Sequence, residues 1–90
     1  MTTSVIAFVG LGGNLGDPAA TLGAALQALD EVQGTRLLRA SRLYRTPAWG
    51  VEQQPDFINA VAMLETSLGA QALLESLFVI ERRHGRVREA

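Results

Sequence analysis

Apolar residues fall along this chain in two rhythms: short unbroken runs, and longer stretches where they recur every third or fourth position. "SVIAFV" (Ser4 to Val9) is a run rich in branched residues and predicts a buried strand. After the glycine-rich "GLGGNLGD", Asp17-Pro18 predicts a helix start, with aspartate as N-cap and proline at the first helical position. Leu22, Ala25, Leu26, Leu29 and Val32 then share one helical face. "QGT" (Gln33 to Thr35) ends that helix, with Gly34 as its C-terminal cap.

"RLLRASRLYR" (Arg36 to Arg45) carries arginine at every third position. On a helix this would draw a basic stripe. On a strand, Arg36 and Arg42 would face one way and Arg39 and Arg45 the other. The glycine before it and the "TP" after it favour a strand. "TPAWGVEQQPD" (Thr46 to Asp56) reads as a loop. "FINAVAMLET" (Phe57 to Thr66) reads as a strand apolar on both faces apart from Asn59. An amphipathic helix from about Gly69 to His84 is built on Leu73, Leu74, Leu77 and Ile80 and capped by Gly85. The order is β-α-β-β-α. This predicts an α/β (α+β) sandwich of ferredoxin-like layout, ending before its next strand.

Composition narrows the chemistry. Ninety residues make one domain, residues 1–90. With no cysteine a thiol nucleophile is excluded, and a single histidine, His84, argues against a histidine-based zinc site. The net charge of −1 hides an asymmetry: residues 1–81 hold four arginines against eight acids, and residues 82–90 four against one. A short cationic tail on an acidic body does not make a nucleic-acid surface. No run approaches membrane-spanning length and no signal-like N-terminus is seen, so a cytoplasmic protein without a membrane partner is expected.

Four glycines in "VGLGGNLGDP" suggest a phosphate loop, but the spacing does not support one. Gly10 and Gly12 fit a dinucleotide fingerprint whose third glycine is replaced by Leu15. A Walker-type loop needs a lysine, and the chain has none. Asn59 is the first residue to ask for a role. A carboxamide in an apolar strand either bonds to neighbouring backbone or reads the edge of a heterocycle, with Phe57 on the same face as core or as a stacking surface. Trp49 is either a lid or packing for its own loop. In "ERRHGRVR", Arg86 and Arg88 on an extended segment project to one side and suit a di- or triphosphate. Arg82 and Arg83 suit the negative end of a helix dipole. Asp17 is used as a cap, and Glu52 and Asp56 have no second close carboxylate, so no metal ligand is assigned.

Taken in order and spacing, "AFVGLGGNLGDP", "YRTPAWGVEQQPDFINAV" and "ERRHGRVR" resemble the N-terminal half of the 6-hydroxymethyl-7,8-dihydropterin pyrophosphokinase family. The resemblance runs from about Val5 to Arg88. It implies a ferredoxin-like fold and transfer of pyrophosphate from ATP to a reduced pterin on the route to folate, with two Mg²⁺ ions in the complete enzyme. Thr46, Pro47, Trp49, Phe57 and Asn59 match positions of the pterin pocket, and Glu81, Arg86 and Arg88 match the ATP side. Both arginines would act in catalysis by neutralising phosphate charge. The glycine turn would close strand one beside the pterin pocket, its glycines permitting a sharp bend and Asn14 bracing it. Three departures stand out. Gly13 replaces a serine, Phe78 stands where a glutamine often meets the nucleotide, and the family's metal-binding aspartate pair falls after "GRVR". Little or no turnover is therefore expected of these 90 residues alone. A non-catalytic binding or interaction module on the same fold is the other expectation, with self-association through an exposed sheet edge.

Overall fold

The computed structural model describes residues 3–14, 16–47 and 55–84. Their order is β1 (Val5–Gly13), α1 (Pro18–Asp30), β2 (Thr35–Ala40), β3 (Tyr44–Thr46), β4 (Phe57–Thr66) and α2 (Ala70–His84). All strand pairings are antiparallel. β4 is central: β1 lies along one side from Val5↔Thr66 to Gly13↔Ile58. The other side is shared by β2, opposite residues 62–66, and β3, opposite residues 57–59. This antiparallel sheet with two helices is the α+β arrangement the chain pattern predicts, in a ferredoxin-like order.

Alternation along the strands separates the two faces. Val9 and Leu11 on β1, and Ala60, Ala62 and Leu64 on β4, form one core with Leu22, Ala25, Leu29, Leu77 and Ile80 from the helices. Phe57, Asn59, Val61, Met63 and Glu65 alternate with that set, so they point to the other face. No described element covers this second face, and Phe8 on it is 60% exposed. β4 is therefore buried on one face only, although its sequence reads as apolar on both.

Three expectations are corrected. The first strand does not stop at Val9, because its ladder with β4 continues through Gly10, Leu11, Gly12 and Gly13. Only Gly16 (φ 63°) of the glycines in this described segment takes the left-handed backbone of a turn. Helix α1 starts as expected, with Asp17 Oδ1 accepting from the Ala20 N–H and Pro18 in the first turn. It ends earlier than expected, at Asp30, where Glu31 N–H donates to the carbonyls of Ala28 and Leu29. Gly34 (φ 76°) is therefore not its cap but the turn into β2.

The arginine-rich strand is the third correction. It is two strands, separated at residues 41–43. A register shift between Leu37 and Arg39 begins the distortion, and the Asp30 carboxylate accepts the Leu37 N–H at 2.8 Å there. Ser41 bridges the gap: its N–H donates to Val61 O, and its hydroxyl accepts from the Val61 N–H, both at 2.8 Å. A side-chain oxygen thus stands in for a ladder carbonyl, which lets β3 resume on the same edge of β4. Gly85, expected to cap α2, lies outside the described residues. Among the described residues, no helix is long and apolar enough to cross a membrane.

Candidate functional site

The interruption between β2 and β3 sets the site, because it brings Tyr44 and Thr46 opposite the start of β4. Thr46 pairs with Phe57, and Tyr44 with Asn59. On the other side Asn59 pairs with Gly12. Asn59 therefore sits between two strands, on the uncovered face, with Phe57 two residues away on that face. Its Nδ2 donates to Thr46 Oγ1 at 2.7 Å. The partner is a side chain on the neighbouring strand, not the adjacent backbone.

Gly12 is buried although it lies on the uncovered face, at the position opposite Asn59. A Cβ on Gly12 would lie 2.8 Å from Asn59 Oδ1. The glycine is the floor on which the carboxamide rests. Beyond it, Asn14 Nδ2 donates to Pro55 O at 3.3 Å, tying the end of β1 to the segment entering β4. Two of the glycine-rich stretch's residues thus serve this corner by contact, and neither contact is a bend.

Of the residues singled out from the sequence, Thr46, Phe57 and Asn59 are brought together, with Pro47 following Thr46 and exposed. Glu81 lies on α2, in the helix layer across the sheet from the Asn59 side chain, and is half-buried. Trp49, Arg86 and Arg88 lie outside the described residues. Phe78 is 46% exposed on α2. The sequence reading gave Gly12 only a share in a sharp bend, which its place in the regular ladder of β1 corrects, and gave Tyr44 no role. Tyr44 was visible within "YRTP", but only the pairing puts it beside Asn59.

The corner carries hydrogen-bonding and stacking groups and little charge, which suits a planar polar heterocycle better than an anion. No three His, Cys, Asp or Glu side chains come together to hold a metal among the described residues. A separate cleft of about 380 Å³ between α1 and α2, lined by Val32, Ser76, Val79, Ile80 and Arg83 among others, contains none of the predicted site residues that are described.

Comparison with known proteins gives the corner its context. The family model for 7,8-dihydro-6-hydroxymethylpterin-pyrophosphokinase matches residues 8–90. A 2-amino-4-hydroxy-6-hydroxymethyldihydropteridine pyrophosphokinase of Pseudomonas putida is 48% identical over 86 residues, covering 96% of this chain and 71% of the relative. Proteins of the same name from Haemophilus influenzae and Methylorubrum extorquens are 42% and 45% identical over 93% and 92% of this chain. The chain spans 52% of the length of each of those two relatives. Agreement over nearly every described element, including the strands that build the Asn59 corner, leaves one assignment: the chain belongs to the 7,8-dihydro-6-hydroxymethylpterin-pyrophosphokinase family.

Proposed function

We propose that residues 1–90 form one domain, the N-terminal portion of a pterin pyrophosphokinase fold, and that it carries the pterin-binding part of the site. The full reaction moves the β,γ-pyrophosphate of ATP to 6-hydroxymethyl-7,8-dihydropterin in folate synthesis. The pterin hydroxymethyl oxygen attacks the β-phosphorus, a new O–P bond forms, the bond to the α-phosphate oxygen breaks, and AMP leaves. The hydroxyl proton passes to water. The observation that carries this reading is the Asn59–Thr46 hydrogen bond at 2.7 Å on an uncovered sheet face, with Phe57 beside it. Asn59 reads the edge of the ring, Phe57, Thr46 and Pro47 border it, and Trp49 is assigned to the same pocket by resemblance alone. Glu81, Arg86 and Arg88 serve the ATP side by resemblance. There the two guanidiniums offset charge on the phosphates during an in-line transfer, in which catalysis is mainly positioning and electrostatics.

The Mg²⁺ ions that accompany ATP in this reading find no fitting ligand set among the described residues, so no step is routed through them. The same reading puts the protein in the cytoplasm, acting on small molecules. Titration of the purified chain with 6-hydroxymethyl-7,8-dihydropterin tests it. Saturable binding that is lost in a folded Asn59→Leu variant supports the pocket. A folded chain that ignores the pterin sinks it. AMP release from Mg-ATP, with and without pterin, then separates a catalytic chain from a binding one.

A second reading has its own observation. β1 is nine residues long, carries no charged side chain, and pairs only with β4 among the described residues. A neutral edge strand is a template for another strand. An interaction module would then self-associate through β1, and sedimentation across micromolar concentrations would detect it. A strict monomer argues against that use of the edge.

A further inference from the structure

We propose that Gly12 and the Thr46 hydroxyl are positioning residues for Asn59, and that together they present its carboxamide oxygen as the acceptor a ligand meets. The identity of the ligand rests on the pterin reading above. The positioning itself is a property of the ligand-free chain.

Gly12 is not needed for backbone freedom. It sits in a regular antiparallel strand, and the described glycines with positive φ are Gly16 and Gly34. It is needed for space, because its Cβ would lie 2.8 Å from Asn59 Oδ1 and 3.8 Å from Ile58 O. Any other residue would push the carboxamide off the sheet. At the opposite end of the same planar group, Nδ2 is tethered to Thr46 Oγ1 at 2.7 Å. One contact limits how the amide lies and the other limits how it rotates.

The two contacts also choose which end is which. The Thr46 hydroxyl could donate to an oxygen or accept from an amide N–H, so alone it does not decide. The Gly12 side does. A flipped amide would set its NH₂ against the glycine Cα–H, placing one donor against another, whereas oxygen there meets a weak donor. Asn59 Oδ1 accepts no hydrogen bond from any described residue. It is therefore a fixed acceptor on the uncovered face, complementary to a ring N–H or exocyclic amino group. A heterocycle presenting a carbonyl at that point would meet a repulsive oxygen and be rejected. Specificity would come from an orientation fixed before the ligand arrives.

The test uses the whole chain, with ¹⁵N–¹H spectra of the Asn59 side-chain amide and the Kd for 6-hydroxymethyl-7,8-dihydropterin. The ligand-free protein should show an Nδ2 proton pair displaced from the positions of an exposed asparagine and slow to exchange with solvent. Thr46→Ser should keep it and bind pterin within about threefold of the parent, since the hydroxyl is retained. Thr46→Val and Gly12→Ala should move the pair toward the position of an exposed asparagine and weaken binding by about tenfold or more. Should Gly12→Ala fail to fold, Thr46→Val against Thr46→Ser carries the comparison. A parent whose Asn59 amide protons already have the shifts and fast solvent exchange of an exposed asparagine overturns the proposal. So does a Thr46→Val chain that matches the parent in spectrum and affinity. If the parent does not bind pterin at all, the function proposed above fails, while the ligand-free spectra still decide whether Gly12 and Thr46 position Asn59.

Discussion

Replacing Gly34 with alanine should cost this protein about 2 kcal/mol, and the structure says how that figure divides. Gly34 has φ 76°, a conformation that carries a penalty of roughly 1–2 kcal/mol for an L side chain. Alanine recovers about 0.4–1 kcal/mol of that by restricting the unfolded chain. A second contribution comes from what surrounds the new methyl group. The Cβ would sit 2.8 Å from Ser67 Oγ, and that hydroxyl donates to the Gly34 carbonyl at 3.3 Å. Moving it away forfeits a hydrogen bond worth about 0.5–1.5 kcal/mol. Ser67 N–H also donates to Gly34 O at 2.8 Å, so the backbone has little freedom to yield.

Gly16 is the internal control. It has φ 63°, yet no described residue lies within 4 Å of its Cβ position. Gly16→Ala should therefore carry the conformational part alone, at about 0.5–1 kcal/mol. Urea denaturation of both variants, with thermal melts in parallel, measures the difference. For a domain of this size 1 kcal/mol moves Tm by about 4–8 °C, so Gly34→Ala should fall by about 10 °C and Gly16→Ala by about half as much. Adding Ser67→Ala to Gly34→Ala removes the crowding atom and should recover part of the excess. Equal losses at Gly34 and Gly16, or no coupling between Gly34 and Ser67, would refute the close-approach argument.

Two further outcomes follow from side-chain pairs elsewhere in the sheet. Thr66 is only 1% exposed; its Oγ1 lies 2.7 Å from Thr35 Oγ1 and accepts the Leu68 N–H at 3.1 Å, so Thr66→Val should cost about 1–3 kcal/mol by leaving those groups without partners. The double variant with Thr35→Val should cost less than the sum, as read by a double-mutant cycle in urea. Arg36 and Glu65 form a 2.7 Å ion pair with side chains 67% and 37% exposed, so Arg36→Ala should change stability by less than about 1 kcal/mol, and less again in high salt.

Local rules read most of the elements well, and they fail where one residue answers to another far along the chain. The helix face through Leu22, Ala25 and Leu29 was legible because helical periodicity is local, and those three are the buried residues of α1. The break in the arginine strand was not legible. It depends on Asp30 and Ser41 supplying side-chain oxygens to Leu37 and Val61, pairings that no pattern within residues 36–45 announces. Asn59 stood out as a polar residue in an apolar strand, but its partners are Thr46, thirteen positions away, and Gly12, forty-seven positions away.

Gly12 illustrates the physical reason. Glycine in sequence signals freedom of the backbone, and that meaning holds at Gly16 and Gly34, where φ is positive. At Gly12 the backbone is an ordinary strand, and the missing side chain matters because another side chain occupies its place. The two meanings are identical in one dimension and separate only once the register is fixed. That register is set by the β1–β4 ladder from Val5↔Thr66 to Gly13↔Ile58. A slip of one residue would put the β4 core residues Ala60, Ala62 and Leu64 on the uncovered face and Asn59 among the helices. The hydrophobic core therefore specifies the polar corner indirectly. It fixes the register, the register seats Asn59 over Gly12, and that seat determines which atom of the carboxamide a ligand can reach.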